Sequence, residues 1–156
     1  MASTGQATPS SLPLEFLGAI VRWLTARKSH KTFLATCKAT SIRYAKPHQY
    51  HIVHMYLGGE WYECTRAIDK KAAALEALDV AVLQTYVLEG LLGITDPRGD
   101  ARLQYLGGAR PVADLEKLVD TGRFQLAFAM QPVNVETVLS IADTGGVMPP
   151  KSTWFE

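Results

Sequence analysis

Residues 50–57, YHIVHMYL, and residues 61–68, WYECTRAI, flank Gly58 and Gly59, and this stretch decides the fold. Both runs are rich in β-branched and aromatic residues, and the two glycines supply the positive φ of a tight turn, so the stretch reads as a β-hairpin. An antiparallel strand pair is therefore the starting point for everything around it.

Downstream of the hairpin the period changes. In DKKAAALEALDVAVLQTYVLEGLLGI, residues 69–94, Leu75, Leu78, Val82, Leu83, Val87, Leu88 and Leu91 trace a broad apolar stripe. The spacing predicts a helix closed by Gly93, with a break near Asp79. After the TDPRGD turn, RLQYLGG at 102–108 reads as a short strand. RPVADLEKLVDTG at 110–122 reads as a helix, with Pro111 at its start and Gly122 just past its end. FQLAFAM at 124–130 reads as a buried strand, and NVETVLSIADTGG at 134–146 as a helix with Asn134 as N-cap and Gly145 beyond it.

Upstream, Leu14, Leu17, Ile20, Val21 and Leu24 recur at helical spacing, with Ser11 and Pro13 at the start, predicting a helix to about Ala26 with ARKSHK as its basic exit. Residues 32–46 carry no clean period. Residues 1–11, MASTGQATPSS, lack large apolar groups and read as a disordered lead-in. The domain expectation is a single α+β unit over residues 12–156, in the order α, β, β, α, β, α, β, α. Its hairpin is followed by alternating helices and strands, with a mixed sheet on which the helices pack.

The chain has 156 residues, the size of one domain, with 47% hydrophobic and 20% charged residues and a net charge of +1. So small a charge gives no field that draws DNA, RNA or an anionic membrane. Charge interrupts every apolar run before the roughly 18 to 20 residues of a membrane span, and no leader opens the chain, so the expected setting is cytoplasmic. Cys37 and Cys64 form no Cys-x-x-Cys pattern and read as free thiols.

Several stretches suggest chemistry. The closing GGVMPPKSTWFE, residues 145–156, places Lys151 before Ser152 and Thr153. It is no phosphate-binding Walker loop, because Pro150 has no N–H where that loop needs an amide and no helix can follow. One cation and two hydroxyls after a rigid Pro-Pro pair remain a candidate site for a carboxylate or phosphate, against the plainer reading of a closed turn. Gly107, Gly108 and Arg110, between a predicted strand and helix, are a second anion-binding candidate. There Pro111 removes an amide and Asp114 answers the helix dipole, so a structural turn is favoured.

His48, His51 and His54 invite a metal site, but on a strand His48 and His54 stand roughly 20 Å apart with His51 on the opposite face. No metal site is expected, and no cofactor. Tyr56, Trp61 and Tyr62 lack a basic surround and read as core or interface aromatics. No nucleophile with an orienting base is present, so no catalytic residue can be named.

HMYLGGEWYEC, LDVAVLQTYVLEGLLGITDPRGDARLQYLGGAR and AFAMQPVNVETVLSIADTGGVMPPKSTWFE, in this order and spacing, resemble the bacterial and archaeal proteins grouped as domain of unknown function 1015. The resemblance runs from Pro47 to Glu156 and is weaker in the first helix. It implies the C-terminal part of a longer protein, whose N-terminal part carries an Asp-Gly-His-His-Arg motif like that of the ParB and sulfiredoxin-like superfamily. Free serine kinases that use nucleotides belong to that superfamily. The motif is absent here, so no catalytic role carries over.

The resemblance further implies that Gly107, Gly108, Arg110 and Pro149 to Phe155 occupy motif positions, with Lys151, Ser152 and Thr153 facing a ligand or the missing domain. Three functional expectations follow: a non-catalytic domain packed on the missing N-terminal domain around a nucleotide or small-metabolite cleft, a contributor to a small-molecule kinase site, or a homodimerisation module.

Overall fold

A computed structural model describes residues 25–28, 50–107, 110–131 and 133–149. Its centre is the hairpin. Strand β2, Tyr50–Leu57, and strand β3, Glu60–Ala67, pair from Tyr50↔Ala67 to Leu57↔Glu60. Gly58 and Gly59 join them at φ 60° and 83°, the two left-handed residues that a type I′ turn requires. β1, Thr25–Lys28, adds to β3, and β4, Leu126–Met130, adds to β2, giving the order β1-β3-β2-β4.

The protein is α+β, as the alternation of periods implies. Every pairing among the described strands is antiparallel, so the parallel component of the expected mixed sheet is not found among them.

Helices cover both faces. On one, Val53, Met55 and Cys64 pack with Leu83, Val87, Leu88 and Ile94. Leu83, Val87 and Leu88 come from a π-helical segment, Leu83–Glu89, that continues helix α1, Asp79–Val82, and Ile94 lies just beyond it. Gly93, at φ 65°, then turns the chain so that the Ile94 amide reaches Leu88 O at 2.7 Å and its side chain drops into this core. On the other face Tyr56 and Trp61 meet Val119 of helix α2, Val112–Asp120, with Phe124, Ala127 and Ala129 around them. Helix α3, Val135–Asp143, follows β4 and buries Ile141.

The helix ends follow the sequence closely. Pro111 is the N-cap of α2 and Gly122 follows it at φ 74°; the Asn134 side chain caps α3 by accepting from Glu136 N at 3.1 Å, and Gly145 lies beyond at φ 75°.

Four expectations are corrected. Thr25–Lys28 is a strand rather than a helix end and its exit, because the open backbone edge of β3 offers pairing that outweighs weak local helix preference. The remainder of that expected helix lies outside the described residues. The helix expected from residue 69 begins at Asp79. Ahead of it Asp69 closes a local turn, its carboxylate accepting from Lys71 N at 2.9 Å, and the alanines that follow have no apolar face to bury.

Residues 102–107 of RLQYLGG form no strand, since Arg102 turns back toward Asp100 and the end of the preceding helical segment. FQLAFAM is a strand only from Leu126, and a half-buried one, at the end of the order among the described strands.

Candidate functional site

The polar groups of the described residues gather at three places. The first lies on the α1 side of the sheet. His51 of β2 is buried, and its Nδ1 lies 3.0 Å from Asp79 Oδ1 at the start of α1. An ionised carboxylate only accepts, so the ring donates from Nδ1. In register with His51 on β3 is Arg66, whose guanidinium carbon sits 3.9 Å over the Tyr86 ring. The π-helical segment that carries Tyr86 is of a kind frequent at functional sites.

The second place is the opposite face. Tyr56 Oη donates to Asp120 Oδ1 at 2.9 Å and Trp61 Nε1 to Glu116 Oε1 at 2.7 Å. The two rings lean together with centroids 5.1 Å apart. Two aromatics adjacent across the hairpin thus grip two carboxylates one turn apart on α2. Burial, with Asp120 next, pushes the Tyr56 phenol up to about 12.

Beside them His54 is buried, its Nε2 3.9 Å from Glu63 Oε2. Burial lowers the His54 pKa and the Glu63 charge partly restores it. Cys64 is a free, buried thiol pushed up to about 12 by burial first and Glu63 second, which makes it a poor nucleophile.

The third place is the 96–102 loop. Arg102 grips Asp100 through Nε at 2.9 Å and through Nη2, and its Nη1 donates to Leu92 O at 3.0 Å. A cation at the C-terminal carbonyls of a helical segment is electrostatically favoured. The same contact drops the Asp100 carboxyl to about 2.

Of the residues singled out from the sequence, Gly107 and Arg110 are brought together: Arg110 N donates to Gly107 O at 3.0 Å, closing a turn. The exposed Arg110 guanidinium lies 3.5 Å from Asp114 Oδ2, so it answers an acid of the helix it precedes. Gly108, Lys151, Ser152 and Thr153 lie outside the described residues, as do Cys37 and His48.

His51 and His54 occupy opposite faces, as strand alternation requires, and among the described residues no three His, Cys, Asp or Glu side chains come together to hold a metal. No helix among them is long and apolar enough to cross a membrane. Sequence reasoning missed the His51 to Asp79 and Tyr56 to Asp120 pairs, which span 28 and 64 residues and leave no local spacing signal.

Comparison with family models, with curated proteins and with solved structures finds no match to the chain.

Proposed function

We propose that the chain is a non-catalytic α+β domain that packs on another domain of its own protein. This accords with its resemblance to the C-terminal part of the domain of unknown function 1015 proteins, where that neighbour is ParB/sulfiredoxin-like. The observation that carries the reading is the outward face of α3. Val135 and Leu139, one turn apart, are 58% and 59% exposed, while Ile141 anchors the helix from its other side. Val147, just beyond, is 78% exposed. Apolar residues placed in a row on a helix surface mark an interaction face.

The charged groups support the same reading. His51 with Asp79, Tyr56 with Asp120 and Trp61 with Glu116 fasten helices to the sheet, while Arg102 ties the 96–102 loop through Asp100 and the Leu92 carbonyl. A cytoplasmic setting and a nucleotide or small-metabolite cleft shared with the neighbouring domain belong to this proposal.

Val135→Glu/Leu139→Glu in the longer protein that the resemblance implies tests it. Both positions are exposed, so unfolding of the isolated chain should move by no more than about 0.5 kcal/mol per substitution. In the longer protein the same pair should loosen the domains and speed protease cleavage between them. Cleavage as slow as in the parent would remove the α3 face from the interface.

A further inference from the structure

Helix α3 ends on a charge that its own dipole disfavours. Val135, Leu139 and Asp143 are spaced four residues apart, so they form a single ridge along the helix, and all three are exposed. Ile141 is buried and holds the helix from another side. The ridge is apolar at its first two positions and acidic at its last.

Asp143 is the last residue of α3, and no basic residue shares that turn. Unpaired carbonyls give a helix C-terminus partial negative charge, which favours a cation there and opposes a carboxylate. Glu136 is different, because an acid in the first turn is favoured. Among the described residues no hydrogen bond or ion pair engages the Asp143 carboxylate. Nor does the sequence place a lysine or arginine anywhere from Phe124 to Pro150. An exposed apolar pair thus continues into an acid that no described residue answers.

We infer that the neighbouring domain meets this ridge with an apolar groove ending in a lysine or arginine opposite Asp143, which rests on α3 being the interface between the two domains. A groove ending in an acid would set like charges together, and one without charge would cover Asp143 while leaving it unpaired. A cation there also answers the terminal carbonyls of α3, so one side chain meets two negative centres. A helix ridge seats lengthwise in a groove, which fixes the order of contacts as Val135, then Leu139, then the ion pair.

Asp143→Lys tests this in the longer protein beside Val135→Glu/Leu139→Glu. Cleavage between the domains is followed at low and high salt with a protease that cuts at neither lysine nor glutamate. In the isolated chain the lysine suits the helix end, so unfolding should be no easier than in the parent. In the longer protein the same substitution should speed cleavage about fivefold at low salt, since an attraction becomes a repulsion. Asp143→Asn should fall between the two. At about 1 M salt, where charges are screened beyond roughly 3 Å, parent and Asp143→Lys should be cleaved at nearly the same rate. If Val135→Glu/Leu139→Glu speeds cleavage while Asp143→Lys leaves it as in the parent, the cation is overturned and the α3 interface stands. Acceleration by Asp143→Lys that persists at high salt overturns the cation as well, because charge is then not its cause. If neither variant changes cleavage, the interface is lost and the cation with it.

Discussion

The Tyr56 hydroxyl and the Asp120 carboxylate, 64 residues apart in the chain, meet at 2.9 Å and tie the hairpin to the last turn of α2. Trp61 and Glu116 repeat the arrangement one turn earlier at 2.7 Å. Both rings are buried while their polar atoms bond carboxylates of α2, which lets one residue serve packing and orientation together. Because Asp120 is exposed, its hydrogen bond works close to water and belongs at the low end of charged hydrogen bonds. Tyr56→Phe should therefore cost about 1 to 1.5 kcal/mol in urea unfolding. A double-mutant cycle with Asp120→Ala, which removes the acceptor, checks the assignment, since a coupling near zero would mean the contact adds nothing.

The alkaline limb of stability should report the same phenol together with Cys64. Both folded-state pKa values stand at about 12, above the ordinary 10.0 for tyrosine and 9.0 for cysteine. Above the ordinary values the unfolded chain releases protons that the folded chain keeps, so the slope of stability with pH is negative there. The contribution is complete below pH 9 and is lost progressively toward pH 12. Thermal melts across this window, with Tyr56→Phe/Cys64→Ala as the comparison, should show a shallower decline in the variant. An equally steep decline would place the titrating groups elsewhere.

On the acid side His54 has the opposite sign. Burial holds its folded pKa below the ordinary 6.5, against the pull of Glu63. Below 6.5 the unfolded chain takes up a proton that the folded chain resists, so this contribution is complete above 6.5 and is lost as the pH falls through the folded value. His54→Phe should flatten the stability profile just below 6.5 relative to the parent. Proton resonances of the His54 ring followed through the same titration read the shift directly, and a ring titrating at or above its ordinary value would contradict the burial argument.

The hairpin turn allows backbone strain to be measured apart from packing. Gly58 and Gly59 sit at φ 60° and 83°, and a Cβ added at either meets nothing within 4 Å. Any loss on substitution is therefore conformational. Gly59→Val should cost about 1 to 2 kcal/mol, the penalty of a β-branched residue in the left-handed region, whereas Gly58→Asn should cost far less. Equal losses from the two would argue against a type I′ turn.

What the sequence made legible was local. The hairpin was readable because strand-forming runs flank two adjacent glycines, and α2 and α3 because Pro111, Gly122, Asn134 and Gly145 punctuate their ends. β1 was not readable, since four residues carry too little pattern to announce that the edge of β3 will recruit them. The first turns of the helix expected from residue 69 misled for a related reason: the alanines there favour helix locally, but the chain commits to helix only where Asp79 reaches His51.

The candidate site divides in the same way. The Gly107 to Arg110 turn and the pairing of Arg110 with Asp114 follow from sequence neighbours, whereas the ties of His51 to Asp79, Tyr56 to Asp120 and Trp61 to Glu116 join residues far apart.

Gly146 offers a test of how α3 is held. A Cβ there would lie 2.8 Å from Ile141 Cγ2 and 3.1 Å from the Ile141 carbonyl oxygen. Ile141 is the buried residue of α3, so it has little room to retreat. Gly146→Ala should therefore destabilise by about 1 to 3 kcal/mol, as overpacking does in a filled interior. Ile141→Leu removes the branched methyl that the new carbon would strike while leaving the carbonyl contact in place. Combined with Gly146→Ala it should recover part of the loss, giving a non-additive pair in chemical denaturation. Strict additivity would mean that the strain resides in the backbone contact alone.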